Sequence, residues 1–132
     1  MPSQKVADSL ESLGRALERL REGLELSEAA PLAVDGTIQR FEFVIELFWK
    51  VLKRALAAEG IETATPKEAL QRAYQAGWLA DEAVWLSALR DRNLTSHVYD
   101  EPSARAIYSR IRTYWPEFER CHGLLVARFS GD

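Results

Sequence analysis

The segment from residue 92 to residue 99, Arg-Asn-Leu-Thr-Ser-His-Val-Tyr, places four side chains suited to phosphate chemistry close together. Arg92 is a fixed cation and Asn93 is an amide. His97 carries an imidazole, the side-chain type that most often transfers protons in catalysis, and Tyr99 carries a phenol. These groups suit a phosphodiester or a nucleotide. A helical core does not require them, so the segment is the candidate site.

Metal-independent RNA cleavage is one reaction that this set could carry out. The ribose 2′-hydroxyl attacks the adjacent phosphate, which requires proton transfer and cationic stabilisation of the transition state. His97 is the candidate for proton transfer and Arg92 for holding the phosphate. Asn93 would orient the histidine or the ribose, and Arg90 would add a second cation. Because one copy has a single histidine in this motif, a two-fold dimer with both motifs in one cleft is attractive.

A purely structural role explains the same residues, since an arginine and a histidine this close often form a salt-bridged helix end. The candidate acidic partners are Asp91, Asp100 and Glu101. On a continuous helix Arg92 and His97 would lie about 140° apart, whereas Asn93 and His97 would share a face. A helix that ends or turns after Asn93 would bring all three together, so spacing leaves both interpretations open.

Glu42 and Glu46, one turn apart on a predicted helix, extend the candidate site. They could anchor Arg92 or Arg90, line the cleft or contact a second subunit. Equally, Glu46 and Lys50 could form a solvated pair. Two carboxylates on one face could bind Mg²⁺, but nothing else completes an octahedral shell. We therefore predict no metal site and no cofactor.

Composition limits the class of protein. With 132 residues, 47% of them hydrophobic and 28% charged, the chain is expected to form one domain over residues 1–132. Seventeen basic and twenty acidic residues give a net charge of −3, so any RNA binding must be local or shared between subunits. Cys121 is the only cysteine, which excludes an intrachain disulfide. The absence of a signal segment or a membrane span predicts a cytoplasmic protein.

Apolar residues recur with alternating spacings of three and four along three stretches, which is typical of amphipathic helices. The three seams are Val6, Leu10, Leu13, Leu17, Leu20 and Leu24; Ile38, Phe41, Ile45, Phe48 and Leu52; and Ile107, Ile111, Tyr114, Phe118, Cys121 and Leu125. No alternating strand pattern is present. The sequence therefore predicts an all-α, antiparallel up-and-down bundle of four to five helices.

Short signals predict where the helices begin and end. They are Pro31 between the first two helices, Gly60 at the end of the second, Thr65-Pro66-Lys67-Glu68 and Asp81 as the caps of two shorter helices, and Asp100-Glu101-Pro102 before the last. Pro116 is expected to interrupt and kink the last helix. The fourth helix should continue into, or end near, the segment from residue 92 to residue 99.

The other ring side chains are assigned structural roles. His122 lies beside the third seam with no polar set around it, which predicts a surface residue. The four tryptophans, Trp49, Trp78, Trp85 and Trp115, are expected to anchor the core or an interface, with base stacking as the alternative for one of them.

Two blocks of sequence resemble a known superfamily. Residues 92–99 resemble the signature of HepT-type proteins in the HEPN superfamily, in which four residues separate arginine from histidine and one separates histidine from tyrosine. The segment from Arg40 to Lys50, with Pro66-Lys67-Glu68, Trp85 and residues 96–101, is similar to nucleotidyltransferase substrate-binding proteins. These blocks extend from about residue 38 to residue 115.

The resemblance implies a small helical bundle, usually a homodimer, made alongside a separate minimal nucleotidyltransferase. In the toxin–antitoxin version, the HEPN member is a metal-independent ribonuclease, and its partner silences it by transferring AMP to the motif tyrosine. Arg92 and His97 would then be the catalytic pair, Asn93 an orienting residue and Tyr99 the AMP acceptor. The alternative is a non-catalytic subunit that binds or presents the nucleotidyltransferase substrate. A plain dimerisation module would require the motif residues to be salt-bridged and buried.

Overall fold

Five α-helices joined by short connections make up the computed structural model, which describes residues 2–26, 29–97 and 100–129. They are α1 (Pro2–Glu25), α2 (Pro31–Ala58), α3 (Pro66–Gln75), α4 (Glu82–Leu94) and α5 (Glu101–Phe129). A single 3-10 turn, Thr95–His97, follows α4. No strand occurs in these three ranges, and the predicted all-α antiparallel bundle is confirmed.

The three apolar seams form the core where α1, α2 and α5 pack together. Every seam residue is buried or packs against the buried cluster. Aromatic rings fill the centre, where the Trp85 indole of α4 meets Phe48 edge-on at a centroid distance of 4.7 Å and Phe118 at 5.2 Å. Because Trp85 is only 1% exposed, its predicted role as a core anchor is confirmed. Burial of these rings fixes the position of α4 along the axis of the bundle.

Glu117 of α5 holds the beginning of α4. Its carboxylate accepts hydrogen bonds from Nε1 of Trp85 at 2.8 Å and from the backbone N–H of Ala80 at 2.9 Å. Arg120 also donates to it. Burial acts to raise the pKa of Glu117, but the hydrogen bonds from Arg120, Trp85 and Ala80 outweigh it and leave the pKa below its ordinary value. This half-buried charge is therefore fully compensated by donors.

The predicted capping signals act as expected. The Thr65 hydroxyl accepts from the backbone N–H of Glu68 at 3.1 Å, and Asp81 caps α4 by accepting from Ala83 at the same distance. Gly60 follows α2 with a φ of 85°, a conformation that glycine adopts without strain. These caps satisfy backbone groups that the ends of α2, α3 and α4 would otherwise leave without partners.

Two local predictions were wrong. The predicted interruption of the last helix is one of them: α5 continues through Pro116, because the proline removes only one backbone donor while residues on both sides remain packed in the core, and the kink expected there stays a prediction. His122 is half-buried between α5 and α1 instead of lying on the surface. Its Nε2 lies 3.1 Å from the carbonyl oxygen of Leu10, and Gly14 leaves room for the ring, since an added Cβ would lie 3.3 Å from the imidazole.

Two further features bear on the sequence predictions. Burial raises the pKa of the Cys121 thiol to about 12, so this cysteine is a protonated core residue at neutral pH. None of the helices in the described ranges is both long and apolar enough to cross a membrane.

Candidate functional site

The helix α4 carries the candidate site at its C-terminal end. Its helical period turns Trp85, Ala88 and Asp91 into the bundle and leaves Arg90 and Asn93 exposed. The α-helix ends at Leu94, and the 3-10 turn Thr95–His97 follows. A turn after Asn93, one of the two conformations considered from the sequence, is therefore the one found.

A buried carboxylate, Asp91, anchors this end of α4 to α5. Arg110 donates to it through Nε and Nη2, both at 2.8 Å, and the Tyr114 hydroxyl donates at 2.5 Å. Asp91 is 0% exposed, and the fork of Arg110 matches the two carboxylate oxygens. We refer to Asp91, Arg110, Tyr114 and Ser87 as the Asp91 network. The hydrogen bond to Asp91 is the largest cause that raises the pKa of Arg110, so the cation is retained at any physiological pH.

Ser87 extends the Asp91 network toward the surface. Its Oγ lies 2.6 Å from the Tyr114 hydroxyl. Because the single proton of Tyr114 is donated to Asp91, Ser87 is the donor in this contact. Burial, followed by the bond to Asp91, raises the pKa of Tyr114, so the phenol stays protonated. The network thus has a defined direction, from Ser87 through Tyr114 to Asp91.

Arg92 lies on the side of α4 that faces α2. Its Nη2 is 3.5 Å from Oε2 of Glu46, whose Oε1 is 3.5 Å from Nζ of Lys50. The Arg92 side chain is 35% exposed and that of Glu46 38% exposed, so water reaches the pair. The anchoring role proposed for Glu46 and the solvated pair with Lys50 therefore occur together in the structure.

Glu42 contacts the end of α4 through a different residue. Its carboxylate accepts a hydrogen bond from the Thr95 hydroxyl, which also lies 2.7 Å from the backbone oxygen of Arg92. Glu42 and Glu46 thus hold the 3-10 turn and the preceding arginine against α2. Neither is placed with a third ligand, since the described part of the chain contains no cluster of three residues able to hold a metal ion.

Arg90 and Asn93 lie on another side of α4. They line an open groove of about 530 Å³ between α3 and α4. The complete lining is Lys67, Ala83, Leu86, Ser87, Leu89, Arg90 and Asn93. We refer to it as the α3–α4 groove. On an ideal helix Arg90 and Arg92 are about 160° apart, so the two arginines do not share one pocket.

His97 is exposed at the end of the 3-10 turn. The structure therefore brings Arg92 and His97 to the same end of α4, with Thr95 between them bound to Glu42. Tyr99, the predicted AMP acceptor, lies outside the described residues.

The acidic partners suggested for a salt-bridged helix end are engaged elsewhere. Asp91 binds Arg110, and Glu101 binds Arg105 one turn along α5. Asp100 accepts from the side chain and backbone of Ser103, which lowers the pKa of Asp100. Arg92 instead pairs with Glu46. Over its described residues, 92–97, the motif is therefore not buried, and Arg92 is held by Glu46 and not by the acids adjacent to it in sequence.

Sequence reasoning missed the Asp91 network. Ser87 and Asp91 are four residues apart, as are Arg110 and Tyr114, so each pair shares a helix face. The same four-residue spacing of polar residues on α4 and on α5 is the signal that could have indicated two polar helix faces in contact. It was obscured because Asp91 is flanked by Arg90 and Arg92, which made a local ion pair the simpler interpretation.

Known proteins resemble this chain over most of its length. A family model described as nucleotidyltransferase substrate binding protein like matches residues 8–127. A Haemophilus influenzae protein called "Probable ribonuclease HepT" is 39% identical over 83 residues, which cover 59% of this chain and 57% of that protein. The aligned part thus spans little more than half the length of that relative.

Two solved structures have the same fold. A crystal structure of a Thermus thermophilus protein is 40% identical with a TM-score of 0.81, and the match covers 86% of this chain and 98% of that one. A Haemophilus influenzae structure, described as revealing the fold of a substrate binding domain of a nucleotidyltransferase, is 28% identical with a TM-score of 0.69. That match covers 93% of this chain and 98% of the other.

Proposed function

The chain belongs to the nucleotidyltransferase substrate-binding-like family, and from this we propose that it is the helical partner of a separate minimal nucleotidyltransferase. We further propose that it acts as a metal-independent ribonuclease toxin, silenced by AMP transfer to Tyr99. The observation that carries the proposal is the exposed end of α4, which carries a water-accessible Arg92 and is followed by the 3-10 turn with an exposed His97. A relative called "Probable ribonuclease HepT" supports the choice of reaction.

In the proposed reaction the ribose 2′-oxygen forms a bond to phosphorus, and the bond from phosphorus to the 5′-oxygen breaks. The products are a 2′,3′-cyclic phosphate and a 5′-hydroxyl end. His97 takes the proton from the 2′-hydroxyl or gives one to the 5′-oxygen, and Arg92 neutralises the charge that builds on the phosphate oxygens. Asn93, exposed on the same end of α4, would orient the ribose or the histidine.

A homodimer completes this proposal. The motif supplies one histidine per chain, whereas the reaction moves one proton off and another proton on. Two motifs facing each other across a two-fold axis would provide a base from one copy and an acid from the other. They would also place two copies of Arg92 at one phosphate, which compensates locally for the net charge of −3.

AMP transfer offers a direct means of silencing. The Tyr99 oxygen would attack the α-phosphorus of ATP and release pyrophosphate, with the phenolic proton passing to solvent. The adduct adds bulk and a negative phosphate two residues from His97 in the chain. Substrate phosphate would then be excluded by both charge and shape.

Measurements of cell growth and of RNA integrity test the proposed ribonuclease activity. We expect expression of the unsubstituted chain to slow growth and fragment RNA, and His97→Ala to abolish both effects. The matched control is His122→Gln, which removes the other imidazole but keeps a donor for the carbonyl of Leu10. The purified protein should cut RNA in the presence of EDTA. Intact RNA and equal growth for all three chains would contradict the ribonuclease.

Incubation with ATP and a minimal nucleotidyltransferase from the same organism, as the proposed partner, tests the silencing. We expect mass spectrometry to show one AMP added per chain, absent in Tyr99→Phe. Tyr74→Phe is the matched control, since Tyr74 is 44% exposed and lies on α3. Addition that persists in Tyr99→Phe would exclude this tyrosine as the acceptor.

A non-catalytic substrate-binding subunit is the second candidate. The description of the Haemophilus influenzae structure as a substrate binding domain favours it. The acidic net charge also favours it, because RNA-binding proteins generally carry excess positive charge. This alternative would hold if the protein bound the nucleotidyltransferase but left RNA intact.

A further inference from the structure

The α3–α4 groove contains two cations without acidic partners. Lys67 lies in the first turn of α3 and Arg90 lies on α4, and both side chains are exposed and line the groove. Within the described part of the chain, neither makes an ion pair, whereas Arg92, Arg110 and Arg120 each contact a carboxylate. In a chain with a net charge of −3, two uncompensated cations at one groove create a local site for an anion.

The floor of the groove is suited to a flat ring or a ribose. Leu86 and Leu89 line the groove together with the two cations and offer an apolar surface. Ser87 lies beside them with its proton donated to Tyr114, so its oxygen remains as an acceptor. A hydroxyl-bearing ligand can donate to that oxygen. Phosphate, apolar ring and hydroxyl together are the parts of a ribonucleotide.

The groove is continuous with the candidate site around the exposed end of α4. Looking down an ideal helix, Asn93 lies between Arg90 and Arg92, about 60° from the first and about 100° from the second. Asn93 is exposed and lines the groove. A chain of nucleotides leaving the groove would therefore pass Asn93 before it reached Arg92.

We propose that the α3–α4 groove binds the nucleotide of single-stranded RNA next to the phosphate held by Arg92. Lys67 and Arg90 bind its phosphodiester, Leu86 and Leu89 contact its base or sugar, and Ser87 accepts from its 2′-hydroxyl. This assignment rests on the proposed function for the identity of the ligand. It changes the role of Arg90 and Asn93, which become flanking-subsite residues.

Binding of a fluorescent single-stranded RNA, measured by anisotropy over a range of salt concentrations, tests the groove. His97→Ala serves as the parent chain, because it should bind RNA without cutting it. Adding Lys67→Gln and Arg90→Gln should weaken binding roughly tenfold and reduce the salt slope by about 1.4, the value for two lost single-strand phosphate contacts. Because neither side chain is buried, thermal unfolding should be unchanged.

Lys5→Gln with Arg19→Gln is the matched control, because it makes the same change in net charge on two exposed residues of α1. Its affinity and salt slope should equal those of the parent. A groove variant that behaves like this control, or a parent that binds no RNA, would overturn the proposal. Ser87→Ala should reduce the preference for RNA over DNA of the same sequence, since DNA lacks the 2′-hydroxyl.

The outcomes separate the groove from the reaction. If the unsubstituted protein leaves RNA intact but binds it through Lys67 and Arg90, the result supports RNA binding by the groove and contradicts the proposed ribonuclease activity. If the protein cuts RNA while the groove variant binds RNA as tightly as the control, the result supports the ribonuclease activity and excludes the groove as an RNA-binding site.

Discussion

Two polar clusters occupy the last turns of α4, and they differ in how their charges are satisfied. In the Asp91 network, a fully buried carboxylate has three donors, two from Arg110 and one from Tyr114. In the exposed motif of Arg92, Asn93 and His97, the charge contact found within the described residues is one water-accessible ion pair at 3.5 Å. A buried charge requires full compensation, whereas a site for an anion requires a charge that can be released. Adjacent residues of α4 are thus held in opposite ways, Asp91 by buried donors and Arg92 by a water-accessible carboxylate.

The largest expected effect comes from breaking the buried cluster. Asp91→Ala leaves Tyr114 without its acceptor and Arg110 without its partner, so the free energy of unfolding should fall by about 3 kcal/mol. Arg110 is 42% exposed and can turn to water, which keeps the loss at the lower end of the range for buried pairs. Urea unfolding measures this loss in the free energy of unfolding. Asp91→Asn, which keeps the shape, should lose less, and a loss below about 1 kcal/mol for Asp91→Ala would contradict the contrast between the clusters.

Glu117 tests whether a second carboxylate held by several donors behaves like Asp91. Glu117→Gln removes charge from a group that accepts from Trp85, Ala80 and Arg120, so stability at pH 7 should fall by about 1–2 kcal/mol. Folding lowers the pKa of Glu117 from its ordinary value of 4.5. Its contribution is therefore present above pH 4.5 and lost as the pH falls through the folded pKa. Unfolding curves of both proteins should converge in acid; a constant difference from about pH 7 to about pH 3 would count against this assignment.

The smallest effect is expected from the exposed motif itself. Arg92→Ala and His97→Ala should each change the free energy of unfolding by less than about 1 kcal/mol, because exposed ion pairs contribute little. Thermal or urea unfolding measures this. A loss above about 2 kcal/mol in either variant would show that the motif is structural and would favour the plain dimerisation module.

The fold followed from sequence because its determinants are periodic or local. The three seams repeat every three or four residues, and caps such as Thr65 and Asp81 act on backbone groups two or three residues away. What escaped prediction depends on contacts between distant residues. Asp91 binds a residue 19 positions away, and His122 binds a carbonyl 112 positions away. A main-chain carbonyl has no sequence signature, so His122 could not have been placed from the sequence.

The candidate site was predictable in composition but not in arrangement. Residue types identified Arg92, His97 and Arg90, and one-turn spacing identified Glu42 and Glu46. Spacing did not determine that Glu46 contacts Arg92 while Glu42 contacts Thr95. Helical spacing places Arg90 and Arg92 on different sides of α4, but it did not determine that one side faces α3 and the other faces α2. The roles of these residues remain predictions for the experiments above.

Under the proposed function, the position of Glu46 between Arg92 and Lys50 would make phosphate binding an exchange of partners. An arriving phosphate would replace Glu46 at Arg92, and the displaced carboxylate would keep Lys50 as its counter-ion. Each of these charges would keep a partner after the exchange, and exposed ion pairs contribute little to stability, so releasing Arg92 would cost little. The same competition would make binding selective, because a ligand with one weak contact would not displace Glu46, whereas a polyanion that binds at several points would.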